Sequence, residues 1–119
     1  MWPLRNTSIM AKPRFAFLLL KEHPYGREML RQILSEGHIP EIIIEEDSPV
    51  GDEEREKFLK RIEGNEIAPT IESQAREHGI TMVTVPIHNS TEVMPHIRNM
   101  DLDLIVFGGT RQQTAHNAQ

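Results

Sequence analysis

The residues best suited to chemistry follow the last apolar stretch of the chain. Residues 102–107 are almost wholly apolar, and the chain continues with Gly108, Gly109, Thr110 and Arg111. Glycine lets the backbone approach a bound molecule closely. The arginine guanidinium is a planar, permanently charged donor that suits a carboxylate or a phosphate. A tight turn followed by a solvated arginine explains the same residues equally well, so both interpretations stay open.

Two histidines also follow apolar stretches. His23 comes soon after the first stretch, and His88 comes soon after the third. Because the carboxyl ends of parallel strands meet at one edge of a sheet, both are predicted to lie on the same edge as the glycine pair. His88 and Asn89 can orient a polar ligand there. The interpretation that we favour is that Asn89 and Ser90 cap the next helix.

Six carboxylates are concentrated in one short segment, at Glu45, Glu46, Asp47, Asp52, Glu53 and Glu54. Their spacing does not match a calcium loop, and no pair of histidines has the spacing of a metal site. We therefore expect a solvated loop, a helix N-terminus and no bound metal. A dinucleotide site is not predicted either. Glu45 lies about where a ribose-binding acid is expected, but Gly26 is the only glycine in the turn after the first strand.

The elements that must position these side chains alternate between strands and helices. Apolar runs predict strands at residues 14–20, 41–45, 80–85 and 102–107. Helical spacing predicts helices at residues 25–36, 53–63 and 70–78, and a short one that contains Val93, Met94 and Ile97. Asp52 is the predicted N-cap of the second helix, and Ser90 or Thr91 that of the fourth. This alternation predicts an α/β fold, a Rossmann-like open parallel sheet of about four strands with helices on both faces.

Composition limits the class of protein. The chain has 119 residues and 38% hydrophobic content, which is enough for one modest core. A net charge of −5 gives no support for binding to nucleic acid or to an anionic membrane. The absence of cysteine excludes a disulfide framework and a thiol nucleophile, and it fits a cytoplasmic protein. We predict a flexible leader at residues 1–12, one domain at residues 13–111 and a disordered tail at residues 112–119.

Three segments of the chain together carry a family resemblance. Residues 79–90 form a strand followed by His88-Asn89-Ser90, and residues 101–111 form an aspartate-led apolar run that ends in Gly-Gly-Thr-Arg. Residues 23–30 add His-Pro-Tyr-Gly-Arg-Glu-Met-Leu after the first strand. In this combination the chain resembles the amino-terminal half of the formyltransferase family, which includes methionyl-tRNA formyltransferase-like and sugar N-formyltransferase-like enzymes.

The resemblance implies a function as well as a fold. Enzymes of this family bind 10-formyltetrahydrofolate and transfer its formyl group to an amine. The resemblance implies that the pterin lies near the residues after the fourth strand, which are Gly109, Thr110 and Arg111. It implies that the second substrate approaches the residues after the first strand, which are His23, Tyr25 and Gly26.

The resemblance also implies what is missing. The catalytic asparagine, histidine and aspartate of the family begin at an Asn-x-His-Pro motif beyond the matching region, and these 119 residues contain no Asn-x-His. We therefore expect a truncated formyltransferase-like domain that carries over no catalytic residue and is inactive alone. The alternative is a non-catalytic ligand-binding or protein-interaction α/β module. Loss of later strands would uncover an apolar edge, so a homodimer is the expected assembly.

Overall fold

A computed structural model describes residues 12–109. The elements follow the order β1 (Phe15–Leu20), α1 (Pro24–Ser35), β2 (Ile42–Glu46), α2 (Pro49–Arg61), α3 (Ile71–His78), β3 (Thr81–Val85), α4 (Ser90–Ile97) and β4 (Leu104–Phe107). None of these helices is long and apolar enough to cross a membrane. Thr110, Arg111, the predicted tail and all of the predicted leader except Lys12 lie outside the described residues.

The four strands form one sheet in the order β3-β2-β1-β4, and all three neighbouring pairs are parallel. In the register of the sheet, Ala16 of β1 lies between Ile42 of β2 and Ile105 of β4. The chain therefore adds β2 and β3 on one side of β1 and places β4 on the other side. The predicted Rossmann-like parallel sheet is confirmed.

The hydrophobic core lies on both faces of β1, whose residues are all buried. One face carries Phe15, Phe17 and Leu19, which pack with apolar side chains of α1 and α3. The other face carries Ala16 and Leu18, which pack with apolar side chains of α4. A strand covered on both faces requires a continuous apolar run, which is what residues 15–20 supply.

Helix α2 begins earlier than the sequence predicted. Its N-cap is Ser48, whose Oγ accepts a hydrogen bond from the N–H of Gly51 at 3.0 Å, and Pro49 occupies the first turn. The prediction of Asp52 as N-cap is wrong, because Asp52 lies within the first turn of the helix. A serine followed by a proline is a recognised start signal, since proline at this position lacks only an N–H that has no helical partner.

Strand β4 forms one edge of the sheet and is poorly covered. Three of its four side chains are exposed, those of Leu104, Ile105 and Phe107. Within residues 12–109, β1 is the only strand that pairs with β4. The apolar layers on both faces of β1 therefore extend to an edge that faces solvent in the described part of the chain.

Candidate functional site

The sheet has a topological switch point between β1 and β4. After β1 the chain turns toward β2, whereas β4 lies on the opposite side of β1. In open α/β sheets, ligands bind in a crevice at the carboxyl edge beside such a switch point. The corresponding surface here, which we call the crevice, lies between residues 23–26 after β1 and Gly108 and Gly109 after β4.

His23 fixes the start of α1 at this edge. It is the N-cap residue, and its Nδ1 accepts a hydrogen bond from the N–H of Tyr25 at 3.1 Å. This bond requires Nδ1 to be unprotonated. Burial lowers the pKa of His23 below its ordinary value of 6.5, with contributions from the charges of Arg55, Arg61 and Arg27, while Glu54 opposes the shift. His23 is thus a neutral helix cap under the crevice.

Gly26 and Gly108 bring α1 against the ends of β1 and β4. A Cβ atom on Gly26 would lie 2.7 Å from Leu19 Cδ1 and 3.1 Å from the carbonyl oxygen of Gly108. A Cβ atom on Gly108 would overlap the ring of Phe17. Only glycine permits so close an approach of helix and strand. The segments after β1 and after β4, which the sequence predicted to lie at one site, are therefore neighbours in the structure.

Gly109 and Tyr25 form the exposed surface of the crevice. Gly109 has a φ of +87°, which favours glycine, and a Cβ atom there would lie 2.8 Å from Tyr25 Cδ2. The Tyr25 side chain remains 53% exposed. An aromatic ring thus lies against bare backbone with much of its surface open to solvent.

Helix α2 covers the neighbouring part of the carboxyl edge. Arg55 donates from Nη1 to the carbonyl oxygen of Lys21 at 3.0 Å. The ring of Phe58 lies 4.8 Å from that of His23, and the Arg61 guanidinium lies 5.3 Å from the centre of the Phe58 ring. These contacts explain why His23, although it follows a strand at the edge, is buried.

His88 lies with β2 rather than with the glycine pair. Its ring Nε2 lies 2.8 Å from the carbonyl oxygen of Ile44, which can only accept, so Nε2 carries the proton. Its backbone N–H donates to Glu46 Oε1 at 3.0 Å, and Nδ1 lies 3.6 Å from the same oxygen. Ser48 Oγ donates to the other Glu46 oxygen at 2.6 Å. His88 therefore joins β2 to the loop after β3, and its predicted role in substrate binding stays a prediction.

Asn89 is the N-cap of α4. Its Oδ1 accepts a hydrogen bond from the N–H of Glu92 at 2.9 Å. Of the caps predicted from sequence, Asn89 is thus the one used, whereas Ser90 is the first residue of the helix and Thr91 follows it. Capping occupies the Asn89 side-chain oxygen, and its predicted role with His88 in orienting a ligand stays a prediction.

The acidic segment is only in part the solvated loop and helix N-terminus that the sequence predicted: Asp47, Glu53 and Glu54 are exposed, whereas the first two acids of the segment are buried. Glu45 and Glu46 belong to β2 and are only 6% and 1% exposed. Thr84 Oγ1 donates to Glu45 Oε2 at 2.9 Å, whereas Glu45 Oε1 is buried without a hydrogen-bond partner among the described residues. Burial raises the pKa of the Glu45 carboxyl above its ordinary value of 4.5. Within residues 12–109 no three side chains of His, Asp or Glu are grouped so that they could hold a metal ion.

Glu22 is a structural residue at this edge that the sequence did not reveal. It has a φ of +49°, and its carboxylate accepts hydrogen bonds from the N–H groups of Ile71 and Glu72 in the first turn of α3. It also forms an ion pair with Arg27 at 3.2 Å. Its partners in α3 lie about fifty positions along the chain, so no local pattern indicates this contact.

Comparison of the chain with protein-family models, with curated proteins and with solved structures gives no match.

Proposed function

We propose that this chain is a formyltransferase-like ligand-binding domain, and that the crevice between β1 and β4 binds a reduced folate of the 10-formyltetrahydrofolate type. The observation that carries the proposal is the meeting of the segments after β1 and β4 at the switch point. There Gly26 lies close to Gly108, and the ring of Tyr25 lies close to Gly109. These are segments in which the sequence resembles the formyltransferases. Their meeting at the ligand edge supports a shared role.

The surface of the crevice suits a planar heterocycle. The exposed ring of Tyr25 offers a flat face for stacking, and aromatic pairs favour such offset arrangements. Gly109 carries no side chain and is only half-buried beside the Tyr25 ring, so a ligand can approach its backbone. A pterin, which is flat and edged with hydrogen-bonding atoms, matches both features.

The proposal does not include catalysis by this chain alone. Formyl transfer needs a group that stabilises the oxyanion of the tetrahedral intermediate and a group that moves the amine proton. The 119-residue sequence contains no Asn-x-His motif. The Nδ1 of His23 is occupied by the N–H of Tyr25, and the ring Nε2 of His88 by the carbonyl of Ile44. The function proposed is therefore ligand binding.

The test is a titration with a stable reduced folate, followed by calorimetry. We expect saturable binding by the wild-type chain and about tenfold weaker binding by Tyr25→Ala, because loss of stacking costs about 1.4 kcal/mol. Ile39→Ala is the matched control, since Ile39 is comparably exposed but precedes β2 at the opposite edge of the sheet. Absence of saturation at millimolar folate, or equal weakening by both variants, would contradict the proposal.

A further inference from the structure

The outer edge of β4 presents unused backbone hydrogen-bonding groups. Gly108 and Leu104 donate their N–H groups to the carbonyl oxygens of Leu18 and Arg14, on the side of β1. Alternate residues of a strand direct their backbone groups to opposite edges. Ile105 and Phe107 therefore direct an N–H and a C=O each away from β1. Within residues 12–109 no strand lies on that side.

We propose that this edge pairs with the β4 edge of a second copy of the chain, antiparallel and about a two-fold axis through Val106. The two sheets then form one continuous sheet of eight strands. The pairing is independent of ligand binding in the crevice, because it uses the side of β4 rather than its carboxyl end. It assigns a surface and a register to the homodimer expected from the sequence.

Backbone geometry permits this register with every outward group of Ile105 and Phe107 paired. In a two-fold antiparallel pair, one residue must lie opposite its own copy. If that residue is Val106, Ile105 of each copy lies opposite Phe107 of the other. Both residues direct their N–H and C=O groups outward, so each such pair exchanges two hydrogen bonds and the interface contains four. Centring the pair on Ile105 instead forms two bonds at Ile105 and places Asp103, whose N–H already donates to the carbonyl oxygen of Arg14, opposite Phe107, so that each of these outer pairs can form only one bond.

Side-chain chemistry selects the same arrangement. Ile105 and Phe107 lie on one face of β4, so two β-branched–aromatic pairs form side by side across the interface, which is a favourable combination. Two acidic residues, Asp101 and Asp103, precede β4 at its amino end, and the strand itself carries none. Antiparallel pairing sets Asp103 of one copy beside Gly109 of the other, whereas parallel pairing would set acids beside acids. Antiparallel pairing therefore avoids repulsion between acids.

The interface is small. A stable homodimer buries roughly 1,600 Å² in total, and a strand of four residues supplies only part of that area. We therefore expect reversible dimers whose dissociation constant lies in the micromolar range or above, so the assembly must be measured over a series of protein concentrations.

The absence of cysteine gives a direct test of the register. Val106→Cys places the single thiol opposite its own copy, in a pair without hydrogen bonds where Cβ atoms are about 4.5–5.5 Å apart, close enough for a disulfide to form. Leu104→Cys is the matched control, because Leu104 is more exposed but would lie about 13 Å along the strand from its copy. Under mild oxidation we expect Val106→Cys to form reducible dimers at least tenfold faster. Equal rates, or faster cross-linking of Leu104→Cys, would overturn the proposal.

Sedimentation equilibrium tests the interface without a thiol. Phe107→Lys places a charge in both of the Ile105–Phe107 pairs and should raise the dissociation constant at least tenfold, while Ile39→Lys should leave it unchanged. Because Phe107 is 54% exposed, the substitution does not disturb the core. A wild-type chain that is monomeric at every concentration, or equal effects of the two lysines, would overturn the proposal.

Amide hydrogen exchange distinguishes pairing of β4 with a second copy from coverage of the β4 edge by another segment of the same chain. The amides of Ile105 and Phe107 should become protected as the protein concentration rises. Protection that is independent of concentration would mean that residues 1–11 or 110–119 of the same chain cover the edge, and the proposal would fail. The folate titration is carried out on dilute monomer, so its outcome is separate from this one.

Discussion

Glu45 bears a carboxyl group whose ionisation the fold disfavours. The side chain is buried, one oxygen has no hydrogen-bond partner within residues 12–109, and burial raises the pKa of the group. A carboxyl with a higher pKa in the folded state binds more protons when folded. The free energy of unfolding therefore falls as the pH rises from about the ordinary value of 4.5 through the folded-state pKa.

Glu45→Gln should remove the decrease in the free energy of unfolding at higher pH, because the amide stays neutral and keeps an oxygen that can accept from Thr84 Oγ1. We expect the variant to exceed the wild type in stability by about 1–2 kcal/mol above neutral pH and to match it near pH 4.5. Urea denaturation at a series of pH values measures both. Glu41→Gln, on an exposed ion pair with Arg14, is the control and should change stability by less than about 0.5 kcal/mol. An advantage of Glu45→Gln that does not depend on pH would contradict the argument.

At the scale of elements, His23 connects the start of α1 to α2. Its unprotonated Nδ1 caps α1, and its ring packs on Phe58 of α2. Glu54, Arg55 and Arg61 of α2 and Arg27 of α1 are the charged groups that act on it. Because burial lowers the folded-state pKa of His23, the folded protein binds fewer protons than the unfolded chain just below the ordinary value of 6.5.

This linkage predicts a loss of stability in acid. The stabilisation is fully present above pH 6.5 and is lost as the pH falls from there through the folded-state pKa. His23→Asn keeps a side-chain oxygen that can cap α1 but does not titrate, so its unfolding free energy should lack this step, although it loses the packing on Phe58. Urea midpoints over this pH range measure the difference. An identical pH dependence of the two proteins would show that His23 is not responsible.

The elements were predictable from sequence where local patterns determine them. The apolar runs that become β1 and β2 need cover on both faces, and their composition shows it. The start of α2 was misplaced because acidic residues around Asp52 suggested a cap, although Ser48 and Pro49 carry the stronger signal. The burial of Glu46 was not predictable, because its partner His88 is 42 positions away and meets it only through the pairing of β2 with β3.

At the scale of the whole molecule, strand order decides which predicted residues meet. The sequence placed His23, His88 and Gly108 on one edge of the sheet, and the predicted parallel fold is confirmed. The sequence did not say which strands are neighbours. With β4 beside β1, Gly108 meets Gly26, whereas His88 meets Glu46 beyond β1. Thr110 and Arg111 lie outside the described residues, so the anion-binding role predicted for Arg111 stays a prediction.

The same strand order makes the inner strand β1 and the edge strand β4 unequal in their contribution to stability. Phe17, in the central strand β1, is fully buried and its ring packs on Gly108, whereas Phe107, in the edge strand β4, is 54% exposed. Phe17→Ala should lower the free energy of unfolding by about 3–5 kcal/mol, which is a large part of the about 5–15 kcal/mol typical of a domain. Phe107→Ala, the same substitution at the edge, should lower it by less than about 1 kcal/mol in dilute monomer. Urea denaturation of both variants measures the contrast. Comparable losses would mean that β4 is covered in the monomer, and the core would then not end at this edge.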